Sequence, residues 1–244
     1  DRAWDETVKG LILNSPTNPT GAVYTQAELE AIAKWARQKG VWIIADEIYR
    51  QIHYGAGAAP SFLDLPDELL ERVVVVNGAS KAYAMTGWRI GFALAPRELA
   101  RTMNALQSHT TSGANTMAMW AAAEAFGNDA IEAEVQAMTA QFRRRRDLVV
   151  GRFRAALPGT EFVDPLGAFY LYFRVDDVFS REVPHATEFC RRLIADEALA
   201  LVPGAAFGDD RWVRLSYAAS DETLRDGLDR LVRQFARLRS EKAA

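Results

Sequence analysis

Short unbroken apolar runs alternate with helical patterns along the first half of the chain. "GLILN" at 10–14 reads as a buried strand that ends in the turn cluster "SPTNPTG". A helix is predicted from Gln26 to Lys39, because Leu29, Ile32, Ala33 and Ala36 recur on one stripe and Gly40 stands where a helix stops. "VWIIA" at 41–45, "RVVVV" at 72–76 and "IGFALA" at 90–95 read as further strands. Runs that are continuous rather than alternating, separated by helices or long loops, predict an α/β fold whose sheet is mainly parallel, with helices on both faces.

Helical periodicity returns at 96–110 and 114–126, and a long helix is predicted over 129–157. That helix carries "RRRR" at 143–146, which reads as a solvated face with aliphatic neighbours. Beyond "LPG" at 157–159 the texture changes. The short strands "EFV", "FYLYFRV", "LALVPG" and "WVRLSYA" alternate with helices at about 185–197 and 221–238. The expected organisation is a large domain over 1–150 and a smaller α+β domain over 151–244.

Composition narrows the function classes. The 244 residues are 49% hydrophobic and 25% charged, ordinary for a soluble globular chain. A net charge of −3 without a basic stripe argues against nucleic acid as partner. The apolar runs are too short to span a bilayer, which argues against a membrane protein. Cys190 is the one cysteine, so no intrachain disulfide forms, and a reducing, cytoplasmic setting is expected. His53, His109 and His185 lie far apart and no CxxC pair occurs, so no metal site is expected.

Ligands on such sheets bind beyond the carboxyl ends of the strands, so the residues there carry the functional reading. "GLIL" is followed by Asn14 and then Asn18; "VWIIA" by Asp46 and Tyr49; "VVVV" by "NGASK", with Ser80, Lys81 and, eight positions on, Arg89. Each has an ordinary reading alone. Asp46 can end a strand, Tyr49 can pack, Arg89 can pair at the surface, and Asn18 before Pro19 is a turn residue. Jointly they match the needs of pyridoxal 5'-phosphate: a lysine amine for a Schiff base, a carboxylate for the pyridine nitrogen, donors for the 3-oxygen, and an arginine fork with hydroxyl donors for the phosphate. Lys81 is then the Schiff-base lysine.

"SPTNPTG", "ADEIY" and "GASKAYAMTGWRIG" resemble the signatures of the class I/II aminotransferases, the fold-type-I pyridoxal-phosphate enzymes, and in particular their bacterial aspartate aminotransferase branch. The likeness continues through "GAFYLYF" and "WVRLSYA", and so along essentially the whole chain. It implies a homodimer that transfers an α-amino group between an aspartate-like or aromatic amino acid and a 2-oxo acid. Lys81 would also move the substrate's proton. Asp46 would bond the pyridine nitrogen, Tyr49 and Asn18 the 3-oxygen, and Arg89 and Ser80 the phosphate. Gly78 stands where some relatives carry a phosphate-binding serine. Arg214 would take the α-carboxylate, with Asn18 and Phe169 also at the substrate. Asn18–Pro19 is a candidate cis peptide.

Relatives of this kind carry a substantial N-terminal portion ahead of "SPTNPTG", so the chain reads as the C-terminal part of such an enzyme. Uncovered sheet edges and apolar faces, and poor stability in isolation, are the expectation. Two other outcomes use the same residues: β-elimination, as in carbon–sulfur lyases, and a non-catalytic pyridoxal-phosphate-sensing domain of a regulator.

Overall fold

In the computed structural model, residues 4–243 are described. The described residues divide into two compact units, 4–17 with 23–139, and 18–22 with 140–243.

The first unit holds strands β1 (Gly10–Asn14), β2 (Trp42–Asp46), β3 (Val73–Gly78) and β4 (Gly91–Leu94) in that order across one sheet. β1, β2 and β3 are parallel, as the continuous apolar runs predict, while β4 runs antiparallel to β3. Helix α1 (Gln26–Lys39) starts and stops where the sequence placed it. Thr25 Oγ1 accepts the Glu28 N–H while a Glu28 carboxylate oxygen accepts the Thr25 N–H, a closed capping box. Gly40 ends the helix at φ 67°, the left-handed conformation that glycine adopts without a Cβ penalty.

Alternation along the strands gives the sheet two faces. Leu13, Ile43, Ala45, Val73 and Val75 pack against Leu29, Ala33 and Ala36 of α1, with Phe62, Leu65 and Leu69 from the segment after β2. The intervening positions are less covered, with Ile12, Ile44 and Val76 exposed; on β4, Leu94, which pairs with Val75, and Phe92, which pairs with Asn77, are exposed on the α1 side of the sheet. Asn14 and Asp46, paired in register, share the face of Ile12, Ile44 and Val76. The polar strand ends therefore lie on the face opposite α1. Helices α2 (Arg97–Thr110) and α3 (Thr116–Gly127) complete this unit, and α2 buries none of its side chains.

Helix α4 (Asp129–Ala156) belongs to both units. Early in it, Thr139 Oγ1 donates to the Gln51 carbonyl of the first unit. Later, Phe153 packs on Phe162 and Phe173 of the second. The contact boundary thus falls at 139/140, inside the helix and ahead of the change of sequence texture at 157. The second unit is a fully antiparallel sheet of β5 (Phe162–Val163), β6 (Tyr170–Arg174), β7 (Val202–Pro203) and β8 (Trp212–Ser216), ordered β5-β6-β8-β7. Helix α5 (Ala186–Glu197) buries Phe189, Cys190 and Leu193, and α6 (Asp221–Ala243) buries a stripe of Leu224, Leu228, Leu231, Phe235 and Leu238 at helical spacing. No helix among the described residues is long and apolar enough to cross a membrane.

Candidate active site

Within the first unit, the ends of β2 and β3 carry Asp46, Tyr49 and Lys81. Asp46 is held on both sides. Its Oδ1 accepts the Ile48 N–H at 3.2 Å, and its carbonyl accepts the Asn14 amide at 2.9 Å and the Ser15 N–H at 3.1 Å. Tyr49 is buried, and the Lys81 ammonium lies 6.0 Å from the centre of its ring. Lys81 itself is half-buried, between buried Ala79 and Ala82.

The segment from Lys81 to Arg89 is an irregular loop stabilised by its own backbone. Thr86 Oγ1 donates to the Ser80 carbonyl at 2.9 Å, and the Met85 N–H to the Ala79 carbonyl at 3.3 Å. Ala84 and Arg89 adopt left-handed φ of 52° and 53°, which costs a non-glycine residue about 1 kcal/mol or more each. Arg89 is exposed and donates from Nη1 to the Thr86 carbonyl at 3.0 Å. Gly78 answers to β4: a Cβ there would lie 2.8 Å from the Ile90 carbonyl oxygen and 2.9 Å from Gly91 Cα. A serine at this position would collide with backbone, so this chain has a close strand approach in place of that hydroxyl.

Beside Asp46, Glu47 is 3% exposed and turns the other way. Its carboxylate accepts from Ser61 Oγ at 2.7 Å and from the Phe62 N–H at 3.0 Å. Arg50 adds a bond from Nε to the Ala59 carbonyl at 3.2 Å and bonds to both Asp64 oxygens. These contacts pin residues 59–64 beneath the turn that bears Asp46 and Tyr49. Burial pushes the Glu47 carboxyl above the usual range, against the lowering effect of Ser61, Phe62 and Arg50. A single acid next to Asp46 gave no sequence signal for this clamp.

Asn18, Phe169 and Arg214 belong to the second unit. Arg214 Nη1 donates to Asn18 Oδ1 at 2.7 Å, a contact between residues 196 positions apart. The guanidinium carbon lies 4.5 Å from the centre of the Tyr170 ring and 5.1 Å from that of Phe207. Arg214 Nε is buried and has no acceptor among the described residues. A buried donor left in that state is costly, and a carboxylate would satisfy it. Phe169 stacks on Phe142 of α4 at 5.2 Å. Asn18–Pro19 is cis, as the motif suggested, and so is Ser15–Pro16, which sequence reading did not single out. Nor did it single out Tyr170 or Phe207, apolar residues with nothing local to separate them from core.

The chain matches the family described as aminotransferase class I and II over residues 1–231. It is 40% identical to an aspartate aminotransferase of Thermotoga maritima over 225 residues, 91% of this chain and 55% of that protein. It is likewise 40% identical to an aspartate aminotransferase of Streptomyces avermitilis, covering 95% of this chain and 57% of that one. Among solved structures, the aromatic aminotransferase from Pyrococcus horikoshii superimposes with a TM-score of 0.90 at 34% identity, over 98% of this chain and 62% of its own. The chain thus spans a little over half the length of these curated relatives. With the family matched over nearly every residue and the fold shared at such identity, the chain belongs to the class I and II aminotransferases.

Proposed function

We propose that the protein carrying this chain transfers an α-amino group between an amino acid and a 2-oxo acid, using pyridoxal 5'-phosphate. The observation that carries this reading is the Lys81 amine set over the Tyr49 ring, just beyond parallel strands whose paired ends are Asn14 and Asp46. The donor set fits the cofactor: an amine for its aldehyde, a carboxylate for its ring nitrogen, a phenol for its 3-oxygen and a guanidinium for its phosphate. When bound, the cofactor supplies an electron sink for the charge that develops at the substrate's α-carbon.

The rest is the work of this chain's residues. Lys81 would hold the cofactor through its amine and would serve as the base that takes the substrate's α-proton and returns it. Asp46 is oriented by the Ile48 N–H and keeps the ring nitrogen protonated. Tyr49 donates to the ring oxygen. Asn18 has two roles: its Oδ1 fixes Arg214 and its amide Nδ2 is the donor side for that oxygen. Arg89 and the Ser80 hydroxyl hold the phosphate. Arg214 takes the α-carboxylate, a role supported by its buried, unpaired Nε, and Phe169 borders the substrate. The relatives named above are aspartate and aromatic aminotransferases, which favours an aspartate-like or aromatic amino acid. On this reading the protein works as a homodimer in the cytoplasm.

Absorption during a pyridoxal-phosphate titration tests the reading. The expected result is a visible band that saturates, shifts when aspartate is added, and is missing in Lys81→Ala. An equal band in Lys81→Ala, or none in either protein, would overturn the assignment of Lys81.

A further inference from the structure

We infer that Phe207 is a positioning residue for Arg214: its ring, with that of Tyr170, fixes the plane of the guanidinium and so sets how tightly an α-carboxylate is held. The inference rests on the reading of Arg214 as the carboxylate-binding residue. The hydrogen bond to Asn18 Oδ1 anchors Nη1 alone, and a fork held at one corner can still swing about it. Ring contacts at 4.5 and 5.1 Å restrict that freedom and attract the cation through the ring quadrupole. A guanidinium with its plane already set loses less entropy on forming a two-pronged bond to a carboxylate.

Phe207 is built for this rather than for filling the core. It is half-buried, whereas Phe173 and Phe189, which do fill the core, are fully buried. It sits at the end of the turn 204–207 after β7, a turn closed by the Asp209 N–H to the Gly204 carbonyl at 3.1 Å. Gly204 lets that turn lie against β8: a Cβ would strike the backbone oxygens of Asp209 and Trp212 and the Tyr172 hydroxyl. Tyr172 meets the Phe207 ring edge-on at 6.1 Å and stacks on Trp212 at 5.1 Å, so the ring is braced from behind. Tyr172 pairs directly with Arg214 across the strands. Burial, then the carboxylates of Asp209 and Asp210, push its phenol up, so it stays neutral and offers no competing anion.

The test compares wild type, Phe207→Leu, Phe207→Tyr and Arg214→Lys as intact, cofactor-loaded proteins. Maleate affinity is measured by calorimetry, with melting temperature and steady-state kinetics alongside. Phe207→Leu is expected to weaken maleate about 2- to 30-fold. KM for the amino acid rises with kcat retained, the melting temperature is unchanged, and Phe207→Tyr restores affinity by restoring a ring. Wild-type affinity in Phe207→Leu while Arg214→Lys loses it would overturn the inference and leave Arg214 in its role. Equal weakening in Phe207→Leu and Phe207→Tyr, with a lower melting temperature in both, would also overturn it. Undiminished binding in Arg214→Lys would remove Arg214 from carboxylate recognition, and the positioning role with it.

Discussion

In the second unit, Phe173, Phe189, Leu193, Val213, Leu231 and Phe235 are wholly buried, and α5 and α6 each turn an apolar stripe inward. In the first unit, α1 covers β1, β2 and β3 on one face of the sheet, but Ile12 is 74% exposed on the other, and α3 leaves Met117 and Trp120 at 73% and 75%. Apolar content does not explain the difference, because the strands of the first unit are the more continuously apolar. A run such as "VVVV" states that both sides of a strand avoid water, and leaves open what covers each side.

The sharpest way to break that contrast is a pair of aromatic deletions. Phe235→Ala in α6 should cost about 3–5 kcal/mol, because it opens a cavity in a closed core. Trp120→Ser in α3 should change stability by less than about 0.5 kcal/mol and lower the binding of a hydrophobic dye. Denaturant unfolding measures both. A Trp120→Ser cost equal to that of Phe235→Ala would mean that the α3 surface is already buried in solution.

A smaller effect lies inside the covered half of the first unit. Ser61→Ala removes the hydroxyl that donates to Glu47 and leaves a buried carboxylate with one fewer partner. A loss of about 1–3 kcal/mol is expected at neutral pH. Unfolding midpoints equal to wild type would show that water replaces the hydroxyl and that the clamp on residues 59–64 is open.

Local signals were legible from sequence, and long-range ones were not. The Thr25 box, the Gly40 stop and the parallel β1–β3 core follow from cap chemistry and apolar period, which act over a few residues. The direction of β4 did not follow, because an apolar run reads the same in either sense. At the candidate site, Lys81, Asp46 and Tyr49 stood out as chemistry-bearing types at strand ends. The bond from Arg214 to Asn18 had no local trace, because 196 residues separate the two. Phe207 was invisible for another reason: its value lies in the cation it faces, and nothing in "GAAFG" names a cation.

The two units also differ in how acid acts on them, which gives the mildest test of the comparison. Glu47, in the first, titrates above the usual glutamate range because burial disfavours its charge. Its contribution to stability is therefore complete below the unfolded value near 4.5 and is lost as pH rises through the higher folded value. Asp209, in the second, is lowered to about 2, chiefly by the side chain of Arg211. Its contribution is present above 3.8 and is lost as pH falls through about 2. Unfolding of wild type, Glu47→Gln and Asp209→Asn between pH 2 and 8 separates the two. Measured against Glu47→Gln, wild type should lose ground as pH climbs past 4.5. Measured against Asp209→Asn, it should lose ground as pH drops below 3.8. Parallel curves for Glu47→Gln and wild type would mean that the carboxylate reaches water when ionised.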